Sequence, residues 1–164
     1  MPRFRFTSDS VVEIHAQSSM HPIEVETHSV TGEVDAEVDA GAVRLDPAPK
    51  GFVELPVEAL ESGHTLQDRE MRRRVDAKQH PTIHYRLDEA TGGPERFELL
   101  GTLTLHGQEQ QFSALVTARV DRGALSVEGE HTFDIRDFGV KPPKLLGLQV
   151  SPEVRVVARL VARA

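Results

Sequence analysis

The side chains best able to do chemistry are the eight histidines, and their spacing denies most of them a shared task. A zinc site needs about three or four convergent nitrogen or oxygen ligands. His15, His21 and His28 share one stretch, but His15 and His28 fall on the polar parity of their segments. His80 and His84 have the i, i+4 spacing of a zinc-protease helix. Pro81 denies them that helix and occupies the position where the motif needs Glu. These read as surface histidines, and no metal site is expected. His131 differs, because its parity turns it inward between Gly129 and Phe133. A buried imidazole normally finds a hydrogen-bond partner. His131 is therefore either a satisfied interior residue or a polar contact for something held inside.

Catalytic patterns are weak. Ser, His and Asp are present without a Gly-x-Ser-x-Gly elbow. There is no glycine-rich phosphate loop. The chain has no Cys, which excludes disulfides, thiolate metal sites and cysteine nucleophiles. No catalytic residue and no cofactor is expected. Positive charge gathers in two places: Arg69, Arg72, Arg73, Arg74 and Lys78 beside Asp68, Glu70 and Asp76, and Lys141 and Lys144 around two prolines. A guanidinium fork suits phosphate or carboxylate, whereas the plainer reading of the arginines is an exposed, salt-bridged helix. Leu145, Leu146 and Leu148 follow the second cluster, either capping a core or forming an apolar rim where a lipid enters. The formal charge of −7, from 19 basic and 26 acidic residues, opposes binding to nucleic acid.

The elements that must position these residues are mostly strands. Apolar and polar residues alternate through Val12–Ala16, Ile23–Glu26, Glu33–Asp39, Ile83–Asp88, Phe97–Leu105, Phe112–Asp121, Leu125–Arg136 and Val154–Arg163. Thr91-Gly92-Gly93-Pro94, His106-Gly107 and Asp121-Arg122-Gly123 suit hairpin turns, so neighbours run antiparallel. The stretch 66–78 carries helix formers and stops at His80-Pro81, with Thr65 placed to cap it and Asp68 as a weak capping-box partner. A short turn is expected over Val57–Glu61, and Asp46–Gly51 reads as a loop. The length of 164 residues and the 38% hydrophobic content suit one domain, 1–164. No apolar run reaches the length of a leader or a membrane span, which leads to the expectation of a cytoplasmic protein without stable membrane insertion.

Strands with one apolar face must pack on a second sheet or close on themselves, and periodicity alone leaves both open. The inward positions include Ala16, Ala36, Gly101, Ala114, Ala118, Gly129, Ala158 and Ala162. A barrel of about eight strands is either just filled or has room for one small ligand. Small inward residues fit a ligand cavity or a tightly coiled, filled barrel.

Four stretches together carry a resemblance. His80-Pro81-Thr82-Ile83 follows the helix, Gly101–Gly107 reads GTLTLHG, Asp137-Phe138-Gly139 forms a turn, and VSPEVRVVARLVARA closes the chain. In that order they resemble the YceI-like family, with Asp134-Ile135-Arg136 replacing the usual Arg-Ser pair before the turn. The resemblance implies an all-β fold, a closed antiparallel lipocalin-like barrel of about eight strands with one helix, about 66–78, at its side or mouth. It also implies non-enzymatic sequestration or transport of a long-chain amphiphile, a polyisoprenoid or fatty-acyl compound. Inward parity then places the tail against Ile14, Val25, Val34, Tyr85, Leu99, Leu103, Phe112, Val116, His131, Phe133, Val156 and Leu160, with Leu145 at the rim. Arg72, Arg73, Lys141 and Lys144 are the head-group candidates. The alternatives are a barrel that binds another small apolar ligand or a partner protein, or a lumen enzyme using His131. Exposed edges or the leucine loop could support a homodimer.

Overall fold

The computed structural model describes every residue except Leu146, and of Leu145 only the backbone. The strands in chain order are β1 (Arg3–Phe6), β2 (Val11–Ser18), β3 (Pro22–Thr27), β4 (Thr31–Asp35), β5 (Val38–Asp39), β6 (Ala42–Val43) and β7 (Lys50–Pro56). A 3₁₀ turn at Val57–Ala59 and helix α1 (Thr65–Arg74) follow. Then come β8 (Thr82–Gly92), β9 (Arg96–Leu105), β10 (Gln108–Asp121) and β11 (Ala124–Asp134). A second 3₁₀ turn, Ile135–Phe138, leads to β12 (Lys144–Leu145) and β13 (Leu148–Arg163).

The ring runs β1-β4-β7-β8-β9-β10-β11-β13, and β13 returns to β1. This is the closed, eight-stranded antiparallel barrel. Closure rests on a short seam, Arg5 opposite Arg163 and Phe6 opposite Ala162. One edge of the long β13 is shared. Its Val150–Arg159 segment pairs with β2, and its last residues pair with β1. β3 extends from β2, and its far edge meets Glu61 at an isolated bridge with Glu26. The segment that carries this bridge continues into α1, so the helix sits where the ring of long strands gives way.

The hairpin turns form as their residues dictate. His106 and Gly107 take φ of 56° and 71°, and Arg122 and Gly123 take 51° and 77°. Two successive left-handed residues match the twist of tight hairpins. The helix differs from its expected span. It ends at Arg74 rather than residue 78, with turns over Val75–Gln79. Thr65 is its first residue, not its cap, and His64 at the cap position makes no side-chain cap bond. The Asp68 carboxylate reaches back to Ser62, accepting from its N–H at 3.1 Å and from its hydroxyl at 2.6 Å. Two strand readings also change. The alternation through Glu33–Asp39 breaks at Ala36, which is buried, and Val38 turns back in a separate hairpin with Val43. Lys50 and Gly51 belong to β7, so the loop ends at Pro49.

Candidate ligand-binding lumen

The interior of the barrel is hollow. A cavity of about 390 Å³ runs through it, within the ~300–1,000 Å³ range of small-molecule sites. Ile14, Val25, Val34, Tyr85, Leu99, Leu103, Phe112, Val116, His131, Phe133, Val156 and Leu160 all line it. The side chain of Leu145 and the whole of Leu146 lie outside the described residues. Most of these inward residues are half-buried rather than buried, because they face empty space instead of a packed partner.

The small inward residues divide into three groups. Ala16, Ala114, Ala118, Gly129 and Ala158 line the cavity directly. Ala36 and Ala162 are fully buried, Ala162 in a tight cluster with Phe4, Phe97 and Leu125. That cluster fills one end of the barrel. Gly101 is roofed by the Tyr85 ring, since a β-carbon there would stand 2.1 Å from the Tyr85 Oη. The phenol ring therefore occupies volume that any other residue at 101 would claim.

Tyr85, Phe112 and His131 form an aromatic wall across β8 to β11. Phe112 and His131 stack with centroids 3.9 Å apart and planes within 5°, and the Tyr85 centroid lies 5.8 Å from that of Phe112. Burial, with a smaller contribution from the Asp88 charge, pushes the Tyr85 hydroxyl up to about 12. Burial also holds the His131 imidazole below its ordinary value. Both groups are neutral at pH 7, so the wall carries hydrogen-bonding capacity without charge.

The other end is roofed by α1 and the segment before β13. Gln67, Asp68, Glu70, Met71 and Arg74 line the cavity from the helix, Val140 and Pro143 line it from the segment, and Leu148 lines it from the start of β13. Met71 packs against the buried cluster of Ala16, Ile23, Val25, Leu60 and Val154, as Phe133 does. Of the expected head-group residues, Arg73 bonds Glu70 at 2.9 Å, and Arg72 donates to the Glu58 carbonyl at 3.1 Å. Arg72 and the exposed Lys144 line neither described cavity. Lys141 joins Arg73, Arg74, His106 and Gly139 around a second space of about 360 Å³.

Arg74, one of the clustered arginines but not among the head-group candidates, borders both spaces. Glu70 fixes it at 2.8 Å, and the two arginines hold the Glu70 carboxyl below the usual range. The available signal was the i, i+4 Glu70–Arg74 pair combined with Met71 on the same helix. Asp137-Phe138-Gly139 shapes this end as well. Phe138 is buried and meets the Phe133 ring edge-on at 5.3 Å, while Gly139 closes the turn at φ 73°. The Asp134 side chain accepts from the Arg136 N–H at 2.8 Å.

Comparison with known proteins agrees with this geometry. The YceI-like domain matches residues 5–162. The chain belongs to the YceI-like family. Its fold is similar to that of BcnA from Burkholderia cenocepacia, with TM-score 0.79 and 18% identity over 94% of this chain and 96% of that one. A polyisoprenoid-binding domain from Saccharophagus degradans superposes with TM-score 0.76 and 11% identity, over 99% and 98% of the two chains. Ribosome-binding factor A of Rhodopseudomonas palustris (strain BisB5) is 35% identical over 94 residues, 56% of this chain and 69% of that protein. Among the described residues, no helix is long and apolar enough to cross a membrane, and no cluster of ligating side chains suits a metal ion.

Proposed function

We propose that this YceI-like barrel sequesters or carries a long-chain amphiphile, its apolar chain in the lumen and its polar end beside α1. The observation that carries the reading is a hollow apolar interior whose charged lining residues are concentrated at the helix end. Each CH₂ moved from water into such a space contributes about 0.8 kcal/mol. A long tail therefore binds without any reacting group, and the barrel needs no catalytic residue. Lumen walls of this kind separate chains differing by one methylene by only ~1–3 kcal/mol, so a range of isoprenoid and fatty-acyl chains fits the proposal. An anionic head is served by Arg73, Arg74 and Lys141 around the second space. Arg74 replaces Arg72 and Lys144 in this role because it borders the lumen too.

The name of the Rhodopseudomonas palustris relative raises a ribosomal partner. A net charge of −7 works against docking on a polyphosphate. A cytoplasmic setting is part of the carrier proposal, tested by fractionating the native host.

The test is organic extraction of freshly purified protein followed by mass spectrometry against a matched blank. A stoichiometric isoprenoid or fatty-acyl species is expected. Ala114 faces the cavity and its neighbour Leu115 is 76% exposed on the outside. Ala114→Trp should therefore abolish co-purification, while Leu115→Trp leaves it intact. An empty extract, together with no uptake of added polyprenyl alcohols, sinks the proposal.

A further inference from the structure

The lumen wall is almost wholly hydrocarbon, yet Tyr85 and His131, each with a polar end, are among the residues that line it. Neither group shows a side-chain hydrogen bond among the described residues, and burial is the leading influence on each. Both rings are fixed in place. Tyr85 lies over Gly101, where no side chain competes, and His131 is stacked face to face on Phe112. The stacking commits one face of the imidazole and leaves its two ring nitrogens as the groups free to bond. A neutral imidazole offers one donor and one acceptor, and a phenol offers both.

An interior built only to hold hydrocarbon has no use for these groups. When the lumen is wet, water satisfies them. A plain hydrocarbon entering the lumen would strip that water and leave two buried polar groups unpaired, which costs free energy at each. A ligand with an oxygen at that depth restores the bonds. Sites that hydrogen-bond an oxygen reject the analogue lacking it far more strongly than apolar walls reject a change of chain length.

We infer that Tyr85 and His131 form an internal selector for chains bearing an uncharged oxygen, an alcohol, carbonyl or amide, within the lumen. The inference rests on the carrier reading and adds a chemical class to it. The charged residues at the helix end play no part, because the selector lies on the aromatic wall of β8 to β11. Its neutrality matches a neutral partner, since an ionised group there would lose its hydration without gaining a counter-charge.

The experiment offers the delipidated protein an equimolar mixture of octadecene, octadecan-1-ol and octadecan-9-ol and measures the bound composition by extraction. The native chain is expected to favour the alcohols over octadecene by at least tenfold. Tyr85→Phe with His131→Phe keeps the rings and removes the polar atoms, and should bring the preference down to about even. Tyr85→Phe alone, the gentler change, should give an intermediate ratio. Equal loading of alkene and alcohols by the native chain overturns the selector while leaving the carrier reading in place. An unchanged preference in the double variant also overturns it, and locates the discrimination elsewhere. Failure to load any of the three compounds ends the carrier reading, and the selector with it.

Discussion

Gly101 and Tyr85 behave as one unit. The ring and a β-carbon at 101 cannot share the same space, as the 2.1 Å separation shows. The ring has the hollow lumen beside it, so Gly101→Ala should swing Tyr85 inward rather than unfold the barrel. Overpacking of this kind costs about 1–3 kcal/mol. Urea unfolding should show a loss in that range for Gly101→Ala. Combining it with Tyr85→Leu should give less than the sum of the single losses, a coupling above about 0.5 kcal/mol. Strict additivity would show that the two residues do not compete for one volume.

At the scale of elements, β8 to β10 are tied together on the outside by a carboxylate. The pairing of β8 with β9 shifts register between Leu87 and Glu89, leaving Asp88 at the irregularity. Asp88 accepts from the Thr102 hydroxyl on β9, from Arg86 at 2.8 Å and from Gln111 on β10 at 3.1 Å. The Thr102 bond first, then Arg86 and Gln111, hold its carboxyl at about 2, below the ordinary 3.8. A depressed carboxyl binds its proton more readily in the unfolded chain, so its contribution is present above about pH 3.8 and fades as pH falls towards 2. Asp88→Asn should accordingly be less stable than the native chain by a constant amount from pH 7 to 5. The two unfolding curves should then converge below pH 4. A gap that persists at low pH would assign the effect to packing instead.

The same elements show what the sequence makes legible. Strands with one wet face announce themselves, and every inward position named on β8 to β11 lies where its parity puts it. Asp88 marks the limit, because a register shift changes which later residue faces in, and Ala90 lines the cavity as a result. β7 was hidden for another reason. Lys50-Gly51 follows a proline-rich loop and looks like more of it, although Val53 and Leu55 face the cavity. The helix end was the least legible part of the candidate site. Arginines in a row look alike in sequence, and only their partners, Glu58 for Arg72 and Glu70 for Arg73 and Arg74, separate them. Whether the lumen is hollow also lies beyond periodicity, since Ala and Gly suit a filled barrel equally well.

For the whole molecule, a hollow core is a standing cost that an occupant offsets. Ligand that binds only the folded state adds stability by mass action, about 2.7 kcal/mol at a hundred times Kd. Delipidated protein should therefore melt at a lower temperature than protein carrying its native chain. Added octadecan-1-ol should raise the midpoint progressively with concentration, while Ala114→Trp, its lumen filled, should show no such rise. A midpoint indifferent to every long-chain compound would count against occupation of the interior.

The seam that joins Arg5–Phe6 to Ala162–Arg163 also sets a timetable. During synthesis, β1 waits for its β13 partner until almost every intervening residue has been made. Until then the greasy inner faces of the long hairpins have no enclosing wall, and they are exposed to other nascent chains. Contacts so distant along the chain make for slow closure. The arrival of the last β13 residues thus decides whether a cup becomes a vessel.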